Sequence, residues 1–139
     1  MSPAPAFYNP IVLDHFLNPR NVGEVPQAEA LGEAGEPSCG DTLRLSLRIK
    51  DGRIVNARFR TLGCGAAIAS SSMATELIKG RTLEQARQFS NQEIVAALGG
   101  LPPAKIQCSV LARQALRAAL EDYEKRHPAA SAPGRRGRK

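Results

Sequence analysis

Cys39, Cys64 and Cys108 are the residues of this chain best suited to chemistry, and they are its only cysteines. Cys64 lies between two glycines in LGCGAAIASSSM (residues 62–73), Cys39 stands in EPSCGD, and Cys108 follows LPPAKIQ. Three cysteines without close pairs do not make a disulfide framework, and a reducing compartment keeps them as thiols. That leaves burial, metal binding or sulfur chemistry, and in the last two the reactive form is the thiolate. The intervals, 25 residues from Cys39 to Cys64 and 44 on to Cys108, match no zinc-finger or ferredoxin spacing. Any shared site must therefore be assembled by the fold.

Asp41 is a fourth candidate, because an extended Cys39-Gly40-Asp41 sends side chains 39 and 41 to the same side. Gly40, Gly63 and Gly65 would let main chain approach whatever the thiolates hold, with N–H groups available to donate to sulfur. His15 and His127, the only histidines, read as ordinary structural or surface residues. Without a Cys-His pair, a papain-like hydrolase is disfavoured.

The elements that must position these groups follow from the pattern. Asn9 caps a short helix with Pro10 in its first position, and Ile11, Val12, Leu13, Phe16 and Leu17 supply its apolar side until Asn18-Pro19 stops it. After a Gly- and Pro-rich passage, Leu43, Leu45, Leu47 and Ile49 alternate with Arg44, Ser46, Arg48 and Lys50, as in a half-buried strand. Asp51-Gly52 makes a hairpin turn, and the return strand puts Val55, Ala57 and Phe59 on one face. Beyond Cys64 the period becomes helical, with Ala69, Met73 and Leu77 at four-residue steps and Gly80 as terminator. Thr82 with Gln85 and Ser90 with Glu93 open two short helices, and Gly99-Gly100 closes the second. A last helix carries Ala112, Leu116, Ala119 or Leu120, and Tyr123, and ends before Pro128. All three cysteines thus fall at junctions, where a helix N-terminus favours thiolate. The expected fold is α+β, a small antiparallel sheet with helices packed on one face.

At 139 residues the chain suits one domain. Its net charge of +6 invites a nucleic-acid reading, but Arg135, Arg136, Arg138 and Lys139 lie in residues 128–139, and removing them leaves +2 on residues 1–127. The tail has no large apolar residue to offset its ordering entropy and is expected to be a disordered basic extension. With aromatics at 4%, base-stacking platforms are lacking, so nucleic acid is disfavoured as a partner. No apolar run approaches membrane-spanning length and no targeting segment opens the chain, so a cytoplasmic location is expected.

HFLNPRNVG (15–23), SCGD (38–41), FRTLGCGAAIASSSM (59–73) and LPPAKIQCS (101–109) resemble, in the same order, the signatures of the IscU/NifU family of iron-sulfur cluster assembly scaffolds, specifically the NifU N-terminal domain. The likeness covers residues 7–127. It implies a scaffold rather than an enzyme, with Cys39, Cys64 and Cys108 as sulfur ligands of a nascent cluster, 2Fe-2S or 4Fe-4S, and Asp41 associated with release. It also implies as partners a cysteine desulfurase, a DnaK-like chaperone with its co-chaperone meeting Leu101, Pro102, Pro103, Ala104 and Lys105, and apo iron-sulfur proteins, with a homodimer left open. One position departs from the family: Gln107 stands before the third cysteine where histidine is usual, and an amide is a poor substitute for imidazole as a metal ligand. The remaining Cys3Asp set resembles the zinc site of SufU-type sulfurtransferases, so a zinc-dependent sulfur acceptor is the alternative. Such chains usually carry an insertion before the third cysteine, and none stands between Ile94 and Cys108.

Overall fold

In the computed structural model the described residues are 9–36 and 41–127. Cys39, Gly40 and the basic extension at 128–139 lie outside them. The chain forms α1 (Pro10–Leu17), β1 (Ala30–Glu36), β2 (Asp41–Lys50), β3 (Arg53–Leu62), α2 (Gly65–Ile78), α3 (Leu83–Arg87), α4 (Asn91–Ala97), a 3-10 turn at Pro103–Lys105, and α5 (Ile106–Arg126). The strands make one antiparallel sheet in the order β1-β2-β3, with α5 and α2 packed on it. This is the α+β architecture expected from the sequence.

β2 supplies the core as its alternation predicts, with Leu43, Leu45, Leu47 and Ile49 all buried. Each such side chain contributes about 1.5–3 kcal/mol when fully removed from water. Ile54, Ala57 and Phe59 of β3 meet Ala69, Ala74 and Ile78 of α2 and Leu111, Leu116 and Leu120 of α5 in the same cluster. At the turn, Asp51 and Gly52 both have positive φ, 55° and 74°, which suits the twist of the hairpin. The opposite face is partly roofed by the segment before β1. There Val25 N–H donates to Ser46 Oγ at 2.9 Å and buries a residue that faces away from the helices.

Two expectations are corrected, and one strand is added. Val55 is exposed, and Ile54 takes its inward place, because the ladder shifts register between Arg48 and Ile49: Arg48 pairs with Asn56 but Ile49 with Ile54. Val55 is the extra residue of a bulge, which turns it outward. β1 is the added strand: ALGEAGE has neither alternation nor bulk to signal it. Its glycine is dictated by packing: a Cβ on Gly32 would sit 2.1 Å from Ala115 O and 2.3 Å from Ala119 N, so the α5 backbone lies directly on the strand. On α1 the buried side is Val12 and His15, whereas Ile11 and Leu17 face solvent.

Candidate metal centre

Three junctions converge at one end of the sheet. Asp41 opens β2, Cys64 is the N-cap of α2, and Cys108 is the third residue of α5, one turn beyond the 3-10 segment. The residue between β3 and Cys64 has to be glycine, because a Cβ on Gly63 would stand 2.9 Å from both the Asp41 Cγ and the Ala67 Cβ. Small residues continue into the helix for the same reason: Ala66 and Ala67 form, with Cys108, a small buried cluster against which Cys64 and Leu101 pack.

The ligand atoms of Asp41, Cys64 and Cys108 all lie within 4.8 Å of one another. Cys64 Sγ is 3.7 Å from Cys108 Sγ, and each sulfur is 3.9 Å from Asp41 Oδ2. Asp41 and Cys108 are buried and Cys64 is half-buried, so the set opens to solvent through Cys64.

The two thiols have opposite acidities. The Cys108 S–H donating to it pulls the Cys64 thiol down to about 5; burial opposes this, while the Ala67 and Ala66 amides at the start of α2 and the positive charge of Lys105 assist. Cys108 is pushed well up, because it holds the proton shared with Cys64, is buried, and faces the charges of Cys64 and Asp41. The chain alone therefore stabilises one thiolate. A cation at the centre would remove the repulsion and let the second thiol ionise, and two soft sulfurs with a hard carboxylate form a donor set for zinc or iron. The residues present fit such a group.

Asp41, Cys64 and Cys108 are thus brought together, with Gly63 beside them and Gly65 as the first residue of α2. Gln107 is the exposed second residue of α5. Leu101 covers the alanine side of the pocket, and Lys105 biases Cys64 electrostatically, a role its place in LPPAK did not suggest. The histidines are structural. His15 Nδ1 is 2.7 Å from Ser72 Oγ within the buried α1–α2 joint, and His127 stacks on Tyr123 at the end of α5.

Residues 7–130 match the family described as NifU-like N terminal domain. The chain is 50% identical over 116 residues to the iron-sulfur cluster assembly scaffold protein IscU 1 of Archaeoglobus fulgidus, covering 84% of this chain and 76% of that protein. It is also 50% identical to the scaffold protein IscU of Azotobacter vinelandii, over 84% of this chain and 94% of the relative. Among solved structures, the N-terminal part of a nitrogen-fixing NifU-like protein from Brucella abortus superposes with a TM-score of 0.67 at 20% identity, covering 89% of this chain and 99% of the other. A putative SUF-system scaffold from Fervidobacterium islandicum gives 0.65 at 22% identity, over 83% and 97%. At these identities the two structures speak for the fold alone.

Proposed function

The chain belongs to the family of NifU-like N-terminal domains, and on that premise we propose that it is a scaffold on which an iron-sulfur cluster is assembled and then handed to apo-proteins. The observation that carries this reading is the convergence of Cys64, Cys108 and Asp41 within 4.8 Å, in a chain 50% identical to proteins named as scaffolds. The cluster is cargo rather than a resident cofactor. Cys64 and Cys108 would hold iron as thiolates, with Cys39 as the third sulfur ligand. The Asp41 carboxylate, harder and more exchangeable than sulfur, would let an acceptor thiol in.

Sulfur would come from a cysteine desulfurase, and Leu101, Pro102, Pro103, Ala104 and Lys105 would meet a DnaK-like chaperone with its co-chaperone. The expected cargo is 2Fe-2S, in a cytoplasmic setting where the thiols stay reduced. Among the described residues no helix is long and apolar enough to cross a membrane. The test is anaerobic reconstitution with ferrous iron, cysteine and a desulfurase, followed by iron and acid-labile sulfide analysis. Iron with matching sulfide supports the scaffold. Stoichiometric zinc that resists exchange, with no sulfide retained, would overturn it in favour of a zinc-dependent sulfur acceptor.

A further inference from the structure

Asn9 engages both ends of its side-chain amide. Its Oδ1 accepts the Val12 N–H at 2.9 Å and caps α1, while its Nδ2 donates to Leu98 O at 2.8 Å and reaches Gly100 O at 3.4 Å. The carbonyl at Leu98 is the C-cap of α4, 89 residues away in sequence. One side chain therefore ties the start of the first helix to the start of the connection that leads to Cys108.

That connection has little stiffness of its own at this point. Gly99 and Gly100 both have positive φ, 80° and 109°, where backbone choice is widest. The next residue, Leu101, packs on Cys108, Ala66 and Ala67 and also on the main core. The fit at the joint is close, since a Cβ on Gly99 would stand 3.1 Å from Asn9 Nδ2. The amide thus holds the flexible glycine pair from one side while Leu101 is seated on the cysteine pocket from the other.

We infer that Asn9 is a positioning residue for the cysteine site: by holding Leu98 O and Gly100 O it keeps Leu101 closed over Cys108 and couples the docking of α1 to access to that thiol. Anything that draws the 98–105 segment away must break this tether, and α1 loosens with it. The inference does not depend on what the cysteines hold.

Asn9→Asp separates the two roles, because it keeps the capping acceptor but sets a carboxylate against Leu98 O in place of a donor. Asn9→Ala removes both. The measurement is hydrogen exchange by mass spectrometry on the metal-free full chain, together with site-resolved alkylation of Cys108 by iodoacetamide. For Asn9→Asp, exchange across residues 98–106 and labelling of Cys108 should each rise roughly fivefold, the factor that losing one ordinary hydrogen bond makes in an opening equilibrium. Exchange in β2 and β3 should be unchanged. The amides of α1 should loosen modestly in Asn9→Asp, which loses the tether but keeps the cap, and further in Asn9→Ala, which loses both. Gly99→Ala, which crowds the amide from the opposite side and also strains a backbone held at φ 80°, should raise labelling of Cys108 in the same direction. Wild-type rates at 98–106 in Asn9→Asp would overturn the proposal by reducing Asn9 to a helix cap. A uniform acceleration through the sheet would overturn it as well, since only global stability would then have changed.

Discussion

α2 carries two buried polar clusters that differ in one respect. At its N-cap, Cys64 meets Cys108 and Asp41; two turns further on, Ser72 and Thr75 meet His15, Arg20 and Asn21. In the second cluster the chain supplies partners for these polar groups: Ser72 Oγ accepts the Arg20 N–H at 2.9 Å and lies 2.7 Å from His15 Nδ1. The Asn21 amide donates to Thr75 Oγ1 at 3.0 Å and to Glu76 at 2.7 Å, and accepts from Lys79. In the first cluster two sulfurs and a carboxylate share one proton's worth of relief, leaving one thiol strongly acidic and the other strongly suppressed. A polar set satisfied by its own chain reads as a joint, whereas one whose members repel until a cation arrives reads as a receptacle. The HFLNPRNVG motif belongs to the joint, and its His15 and Asn21 hold α1 and the following segment on α2.

The largest expected effect breaks the first cluster and spares the second. Cys64→Ser or Cys108→Ser should lower zinc or ferrous-iron affinity well beyond the roughly 10–100-fold that loss of an outer partner of a ligand costs. The melting temperature of the metal-free protein should stay nearly constant. Isothermal titration and a thermal melt on the same samples check both halves. A variant that keeps wild-type affinity would remove that sulfur from the ligand set.

The converse variant comes next in size. Ser72→Ala removes the shared partner of His15 and the Arg20 N–H, and should cost about 1–3 kcal/mol in urea unfolding, the penalty for stranding buried polar groups. Metal affinity should be unchanged. A fall in affinity that matches the fall in stability would show that the two clusters are not separable.

Much of this was legible in the sequence, for reasons that differ by region. The β2 alternation, the Asp51-Gly52 turn and the α5 stripe are local signals and appear in the structure as read. The capping residues do so as well: Thr82 Oγ1 accepts the Gln85 N–H, and Ser90 N–H donates to Glu93. The grouping of Asp41, Cys64 and Cys108 was implied by the family resemblance, because the residues by themselves placed the cysteines at junctions without bringing those junctions together. β1 was not legible, because its small residues are set by the α5 backbone pressing on Gly32 and not by any periodicity of their own. Val55 was misplaced because a bulge shifts the alternation by one. The serines of α2 carry no apolar signal, yet Ser70, Ser71 and Ser72 are buried on a helix against which α1 and α5 both pack. Cys39 falls outside the described residues.

Asp41→Ala sharpens the reading of the receptacle on a smaller scale. It removes the one hard donor from a set of soft ones, so a reconstituted cluster should persist several-fold longer and transfer more slowly to an apo-ferredoxin, as absorbance decay would record. A mutant cluster that decays faster than wild type would count against Asp41 as the exchangeable position.

The smallest effect concerns the joint and its pH dependence. Burial pulls the affinity of His15 for a proton below its ordinary value of 6.5, with the Arg20 charge assisting, while Asp14 and Glu76 pull weakly the other way. The geometry gives the reason: Ser72 Oγ already accepts the Arg20 N–H, so its own proton can be donated to an unprotonated His15 Nδ1. Charging the ring would reverse that donation inside a buried contact. The unfolded chain therefore binds a proton at His15 before the folded chain does, and stability rises with pH wherever that holds. The His15 contribution is fully present above about pH 6.5 and is lost as pH falls toward the lowered folded value. Asp14, Glu76 and Glu93, whose carboxyls are also held below their ordinary range, add losses at lower pH still. Urea midpoints of the metal-free protein should therefore slope downward just below neutrality in wild type. In His15→Gln, whose amide can contact Ser72 without titrating, that part of the slope should disappear while the acidic limb remains. An unchanged slope in His15→Gln would assign the near-neutral loss to another group and leave His15 a packing residue only.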